Sequence, residues 1–369
     1  MHTLSIVVPC YNEERTLETA INRILKIEDD NLKLEIVIVD DFSKDNSYEI
    51  AKKLASNNQS IHVFRQEKNK GKGAALREGF KRATGDFVAV HDADLEYDPH
   101  DLKRLLKPLI EDKADVVIGS RFLSAETHRV LYFWHSMGNK FLTFLSNMFT
   151  DLNLTDMESC YKVFRKEVIQ SIELKEDRFG FEPEVIAKIA HLRLRIFEMG
   201  ISYYGRTYEE GKKIGFKDAI RAFYCIFRYN ANHAPIPIQF LIYFFIGGLS
   251  ALLNFVIFLF LYENGISTAI SVSIAFLSAA LLNYLLSITI LFRHKARWNS
   301  VSEISIYALV VIALGLMDLI LTTFFIKTIF SPQIAKLIST AILFVLNFAA
   351  RKFIVFPEPS SGPWKPELP

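Results

Sequence analysis

The chain has only three cysteines, Cys10, Cys160 and Cys225, far apart and odd in number. That argues against a disulfide framework and for a reducing compartment. It also has almost no net charge. The 43 Lys and Arg residues oppose 41 Asp and Glu, which leaves no bulk electrostatic case for nucleic acid. The N-terminus does not read as a signal peptide, because the apolar run Leu4 to Val8 stops at Pro9. The most informative absence is local. Tyr229 to Tyr262 contains no Asp, Glu, Lys or Arg, and neither does Asn264 to Phe292.

Each of those two runs exceeds the roughly 20 apolar residues that cross a bilayer. Ile304 to Ile326, interrupted by Asp318, and Ile334 to Phe356, with Lys336, Arg351 and Lys352 near its ends, make two more. Four transmembrane helices are therefore expected. An ionisable residue such as Asp318 inside a span is functional by default, or else pairs with a buried polar group such as Asn283 or Asn347. The connection between spans two and three carries Arg293, Lys295 and Arg297, while the others hold little beyond Glu263 and Lys327. The positive-inside rule puts the basic loop, and with it both chain ends, in the cytoplasm. The last stretch, 357–369, holds five prolines and is expected to be disordered.

The first 125 or so residues have a different texture. L-S-I-V-V-P, L-E-I-V-I-V-D-D, I-H-V-F-R, D-F-V-A-V-H-D and D-V-V-I-G-S read as strands. Helical stretches such as Glu14–Lys26 and Lys72–Ala83 lie between them. Apolar strands alternating with helices predict βαβ units and a parallel sheet, with ligands at the carboxyl ends of strands. Three strands end on polar residues: P-C-Y-N-E-E, V-D-D and H-D-A-D-L-E. In extended chain Asp92, Asp94 and Glu96 share one face. Three like charges there repel unless something positive sits among them. They are either a solvated acidic turn or a divalent metal site, and Mg²⁺ or Mn²⁺ prefers such oxygens and bridges phosphates.

Two segments are amphipathic. Residues 216–229 place Phe216, Ile220, Phe223 and Phe227 on one helical stripe, with Lys217, Asp218, Arg221 and Arg228 elsewhere. Residues 129–149 are aromatic-rich with few charges. Both read as core helices or, beside the apolar runs, as membrane-surface helices.

Taken together, P-C-Y-N-E-E, V-D-D-F-S, N-K-G-K-G-A-A-L-R-E-G-F, D-A-D-L-E-Y and I-G-S-R-F resemble a family 2 glycosyltransferase of the GT-A fold. D-M-E-S-C-Y-K-V-F-R and Y-Y-G-R-T-Y-E-E-G-K-K-I are similar to the polyprenyl-phosphate branch, the dolichol-phosphate mannose synthases and undecaprenyl-phosphate glucosyltransferases. The spans, ending N-F-A-A-R-K-F-I-V-F, resemble the GtrA-type membrane domain. The resemblance implies an α/β GT-A catalytic domain over 1–215, an amphipathic interface helix at 216–232, and a four-span membrane domain at 233–356. It implies a nucleotide-sugar donor, a polyprenyl phosphate acceptor, a Mg²⁺ or Mn²⁺ cofactor and a membrane, with a homo-oligomer left open.

The resemblance also implies roles. Asp92 and Asp94 would hold the metal with Glu96 as a third ligand, where mannose synthases often carry Gln. Pro9, Tyr11, Glu13, Asp40, Asp41, Lys72, Asp92 and Ala93 would hold the nucleotide. Arg121 and Arg206 would grip the acceptor phosphate. His135, which falls where some relatives have another arginine, and Asn139 would also contact that phosphate. Asp156 and Glu158 would flank the sugar. D-M-E-S-C-Y-K departs from the mannose-synthase pattern, which tilts the expected donor toward UDP-glucose ahead of GDP-mannose. Asp41 would then accept the uracil N3–H. Two other classes compete. A processive polysaccharide synthase would carry Q-x-x-R-W, and K-A-R-W at 295–298 lacks the Gln. A lipid-sugar translocation factor would not need an intact carboxylate set.

Overall fold

The computed structural model describes residues 1–123, 129, 130, 132–205, 215–292, 300–328 and 332–356. These fall into two compact units, one within Met1–His233 and one within Ala234–Gly362.

The first unit is a seven-stranded sheet in the order β3-β2-β1-β4-β6-β5-β7. Its strands are β1 His2–Cys10, β2 Leu32–Asp40, β3 Ile61–Arg65, β4 Phe87–Val90, β5 Val116–Ser120, β6 Lys162–Arg165 and β7 Ile196–Gly200. All pair in parallel except β6, which runs antiparallel between β4 and β5. The middle strands are apolar on both sides because helices cover both faces, as a parallel sheet requires. Ile6, Val7, Val8, Ile36, Val37, Ile38, Val88, Ala89 and Val90 are all fully buried. The helix α1 Leu17–Leu25 adds Leu17, Ala20, Ile21 and Ile24 from one face. Because β1 lies between β2 and β4, the three polar strand ends are neighbours, and the crevice opens where the strand order reverses.

Around the sheet stand α2 Ser47–Asn57, α3 Lys72–Arg82, α4 His100–Ile110, α5 Phe133–Thr150, α6 Lys166–Ser171, α7 Phe181–His191 and α8 Phe216–Asn230. The helix α8 buries a different set of residues from the stripe its spacing suggested. Ala222, Cys225, Ile226 and Tyr229 face the protein, while Ile220 and Phe223 are exposed. Phe227 makes a ring contact inward, edge-on to Phe149 of α5. In α5 the exposed side chains include Phe133, Trp134, Phe141 and Phe144.

Among its described residues the second unit holds four α-helices, α9 Ile236–Glu263, α10 Thr268–Leu286, α11 Ser300–Thr328 and α12 Pro332–Ala350. Among the described residues, Ile236–Leu261 is long and apolar enough to cross a membrane, with a mean hydropathy of 2.4. The basic loop around Arg293 and Lys295, the tail from 357 and the side chain of Asp318 lie outside the described residues. Asn283 and Asn347, offered as partners for Asp318, both accept hydrogen bonds from Arg351.

Candidate active site

The strand ends open into a cavity of about 970 Å³ within the first unit. Pro9, Tyr11, Glu13, Asp41, Lys72, Asp92, Ala93, Asp94 and Glu96 line it, as do Arg121, His135, Asn139 and Glu158. Arg206 lies outside the described residues. Asp40 and Asp156 do not line the cavity.

Asp40 ends β2 and Asp41 follows it, so their side chains leave on opposite faces. Asp40 is fully buried, accepts from the Ser43 backbone N–H at 3.1 Å and pairs with Arg65 Nε at 3.1 Å. It braces the loop and does not face a nucleotide. Asp41 Oδ1 accepts from the Lys70 N–H at 2.7 Å, and Oδ2 accepts from the Gly71 N–H at 2.7 Å and from Asn69 Nδ2 at 2.9 Å. Burial pushes its carboxyl above the usual range despite those donors. With three donors in place and only 3% of the residue exposed, Asp41 organises the 69–71 loop while still lining the cavity.

That loop is held tightly from the other side. Gly71 has φ +108°, a region L side chains rarely adopt, and a Cβ there would meet the Asp177 carbonyl at 2.5 Å. A Cβ on Gly73 would collide with the Glu176 carbonyl. Glu176 is also the anchor of α8, accepting from Arg221 Nη2 at 2.6 Å and from Tyr229 OH at 2.8 Å. One loop thus supports both the polar floor of the cavity and the helix with the exposed apolar face.

The three alternating carboxylates do not stay in phase. The strand ends at Val90, and Leu95 takes a left-handed φ of +66°, which breaks the alternation. Glu96 Oε2 accepts from Tyr203 OH at 2.7 Å, and Asp94 Oδ1 accepts from the Glu96 N–H at 3.2 Å. Asp92 pairs with Lys72 at 3.0 Å, and Lys72 also pairs with Glu182 at 3.1 Å. Burial works to raise the Asp92 carboxyl, but the Lys72 charge and hydrogen bond hold it below the ordinary range. Among the described residues no group of three or more His, Cys, Asp or Glu side chains forms a metal cage. Asp92 and Asp94 are therefore the stronger pair, with one Glu96 oxygen taken by Tyr203. A hard divalent cation fits that donor set, because Mg²⁺ is commonly held by one or two carboxylates plus substrate phosphates.

On the opposite wall Arg121 and Asp156 form a buried ion pair. Asp156 Oδ2 accepts from Arg121 Nε at 2.7 Å and from its backbone N–H at 3.0 Å, while Oδ1 accepts from Nη2 at 2.8 Å. The Arg121 guanidinium also lies 5.2 Å from the centre of the Tyr203 ring. Asp156 has no exposed surface, so it fixes the arginine from behind and does not touch a sugar. Glu158 does reach the cavity. Burial, and then the nearby Glu182 charge, push its carboxyl up to about 8. Glu158 Oε1 and Glu182 Oε2 are buried without hydrogen-bond partners among the described residues. Glu182, Asn69 and Arg178, which the sequence did not mark as site residues, also line the cavity, as does Cys160. For Glu182 the signal was there: a carboxylate inside the apolar helix start F-E-P-E-V-I-A.

A pH test follows for Glu158. Its folded carboxyl holds a proton that the unfolded chain releases, so its contribution to stability falls as pH rises from about 4.5 to about 8. Glu158→Gln should melt with wild type at about pH 5 and above wild type at about pH 9. An equal offset at both pH values would show that Glu158 is not protonated in the fold.

The cavity has two chemical halves. Its floor is polar and buried, and its rim carries the exposed Trp134, Phe141, Ile220 and Phe223, with Trp134 81% exposed. Comparison with known proteins agrees with this geometry. The family model for glycosyl transferase family 2 matches residues 5–173, and that for the GtrA/DPMS transmembrane domain matches 242–356. A dolichol-phosphate mannosyltransferase from Pyrococcus furiosus is 31% identical over 278 residues, 73% of this chain and 75% of its own. A UDP-N-acetylglucosamine–dolichyl-phosphate N-acetylglucosaminyltransferase from Methanococcus voltae is 28% identical over 233 residues, 58% of this chain and 91% of its own. An undecaprenyl-phosphate mannosyltransferase from Micrococcus luteus is 28% identical over 221 residues, 57% of this chain and 86% of its own. Among solved structures, glucosyl-3-phosphoglycerate synthase from Mycobacterium tuberculosis, in complex with Mn²⁺ and UDP-glucose, superposes with a TM-score of 0.50 at 19% identity. That match covers 62% of this chain and 79% of the other, and it shows the fold alone.

Fold and site define a glycosyltransferase of the GT-A class carrying a transmembrane domain. The chain belongs to glycosyltransferase family 2, in its polyprenyl-phosphate branch with the GtrA/DPMS membrane domain.

Proposed function

We propose that the protein is an inverting, divalent-metal-dependent transferase that moves one hexose from a nucleotide sugar to a polyprenyl phosphate. The observation that carries this reading is the two-sided cavity: a buried acidic and basic floor under an exposed aromatic rim, in a chain with a membrane domain. The floor suits a sugar diphosphate and a phosphate nucleophile, and the rim suits an isoprenoid. We place the exposed faces of α5 and α8 on the membrane surface, with several spans in the bilayer and the catalytic unit in the cytoplasm.

A lipid phosphate is mostly ionised at pH 7, its second pKa being about 6, so it needs no strong general base. The chain's task is to bring two anions together. Arg121, held rigid by Asp156, presents its remaining N–H groups to the acceptor phosphate, and charge-assisted hydrogen bonds offset the repulsion. His135 and Asn139 on α5 complete that wall, with Arg206 as a further acceptor contact. Tyr11, Glu13 and the 69–71 loop hold the nucleotide. Lys72 keeps Asp92 ionised and oriented. Asp92 and Asp94 would hold Mg²⁺ or Mn²⁺, which neutralises charge on the leaving diphosphate. Glu158, protonated at neutral pH, can donate to a sugar hydroxyl, with Glu182 beside it as an acceptor. In-line attack at the anomeric carbon inverts configuration.

For the donor we now favour GDP-mannose over the UDP-glucose suggested by D-M-E-S-C-Y-K. The 278-residue match to the Pyrococcus protein is too long for the first unit alone, and that relative is named a mannosyltransferase. In a competition assay, mannose from GDP-mannose should transfer at least about tenfold faster than glucose from UDP-glucose, a gap of only ~1.4 kcal/mol. Faster glucose transfer would restore the UDP-glucose reading and leave the lipid-phosphate chemistry standing.

A further inference from the structure

The second unit is built twice. Tyr243 and Tyr307, Asn283 and Asn347, Ser287 and Arg351, and Phe292 and Phe356 are four pairs, each 64 residues apart. L-N-Y-L-L-S-I-T-I-L-F at 282–292 runs in register with L-N-F-A-A-R-K-F-I-V-F at 346–356. Both stretches change from α to π helix at the same point, into Ser287–Leu291 and Arg351–Val355. Phe292 and Phe356 close the two π turns and stack on each other at 4.7 Å.

The paired residues meet at one side chain. Arg351 Nε donates to Asn347 Oδ1 at 3.0 Å, and its terminal N–H groups donate to Asn283 Oδ1, to Ser287 Oγ at 3.3 Å and to Tyr307 OH at 3.0 Å. The guanidinium also lies 5.4 Å from the Tyr243 ring centre and 4.9 Å from that of Tyr307. Both asparagines, both tyrosines and Ser287, its own counterpart, thus surround Arg351 where the repeats join. Arg351 is 4% exposed, and its neighbour Lys352, also buried, donates to Gln239 Oε1 at 2.6 Å.

Every hydrogen-bond acceptor of Arg351 is neutral, and among the described residues it has no carboxylate partner. A guanidinium cannot shed its proton, and a buried charge without a counter-ion is costly. Charged residues inside membrane domains mark ligand sites, and interrupted helices at matching positions of two repeats point to the same place. π turns recur at functional sites for their own reasons. The ring of neutral oxygens takes four of the five guanidinium N–H groups and, with the aromatic faces, fixes its plane, which leaves one Nη2 N–H and the whole positive charge for an anion.

We propose that the membrane unit carries a phosphate site at the junction of its two repeats, where Arg351, set by Asn283, Asn347, Ser287 and Tyr307, binds the headgroup of a lipid phosphomonoester. Its residues are a different set from those lining the cavity of the first unit, and its ligand class rests on the lipid-phosphate reading above. The test uses the full chain in detergent and the binding of radiolabelled farnesyl phosphate. Asn283→Asp sets a carboxylate against Arg351, which neutralises it without opening a hole. In Asn283→Asp and in Arg351→Gln the membrane-unit binding should weaken at least about tenfold. Asn283→Asp should melt no lower than wild type and should still transfer sugar to saturating acceptor. Farnesol should not compete, and inorganic phosphate should compete only weakly. Competition by phosphatidic acid as strong as that of farnesyl phosphate would assign the headgroup to bulk lipid, and its failure would assign it to the isoprenoid; both outcomes keep the phosphomonoester site. Unchanged number and affinity of bound farnesyl phosphate in Asn283→Asp would overturn the proposal, as would equal binding of farnesol or inorganic phosphate. A wild type that transfers no sugar but shows Arg351-dependent binding would sink the transferase reading alone.

Discussion

Asp94→Asn should lower sugar transfer by at least about a thousandfold at saturating substrates, equivalent to ~4 kcal/mol in the barrier. Excess EDTA should do the same to the wild type. With one Glu96 oxygen taken by Tyr203, the proposed cation rests on Asp92 and Asp94 among the described residues. Losing one leaves the departing diphosphate with its charge uncompensated, a loss of several kcal/mol. Asparagine keeps the oxygen that accepts the Glu96 N–H, so the turn and the melting temperature should be preserved. Full activity in excess EDTA would remove the metal from the account.

Asp156→Asn should lower both stability and acceptor use. Arg121 is 8% exposed and Asp156 is wholly buried, and removing one partner of such a pair costs ~3–5 kcal/mol because the other is left charged and unpaired. The drop in melting temperature alone would not show that Arg121 serves the acceptor. The double variant Arg121→Met with Asp156→Leu separates the two effects, since apolar replacement of a buried ion pair is often neutral for stability. It should recover the fold while transfer to lipid phosphate stays low and nucleotide binding is unchanged. Recovery of transfer together with stability would make Arg121 a purely structural residue.

The parallel half of the sheet was legible because its strands are buried on both faces and read as unbroken apolar runs. The strands β6 and β7 were not. K-V-F-R and I-F-E-M-G are short and mixed, and β6 takes its place only through antiparallel pairing with β4 and β5. The acidic cluster was found for a reason that holds only in part. Strand alternation ends at Val90, and the left-handed Leu95 turns Glu96 to Tyr203. The separation of Asp40 from Asp41 could have been anticipated, since neighbours on a strand leave on opposite faces. Asp156 could not, because its partner Arg121 lies 35 residues away and only the fold joins them. In α8 Ile220 and Phe223 face out, while a second apolar face with Cys225 and Tyr229 packs against Glu176 and Ala187. The duplicated L-N-aromatic stretches of the membrane unit were open to a search for internal repeats.

The central claim is that this chain makes a single-sugar lipid phosphate. Purified full-length protein would be incubated with Mg²⁺ or Mn²⁺, a polyprenyl phosphate and radiolabelled GDP-mannose or UDP-glucose, and the lipid extract would be analysed by mass. The account predicts one product: the acceptor lipid plus one hexose through a phosphodiester bond, with inverted anomeric configuration and none formed from polyprenol. A polysaccharide, or label released only as free sugar in the presence of lipid phosphate, would contradict it.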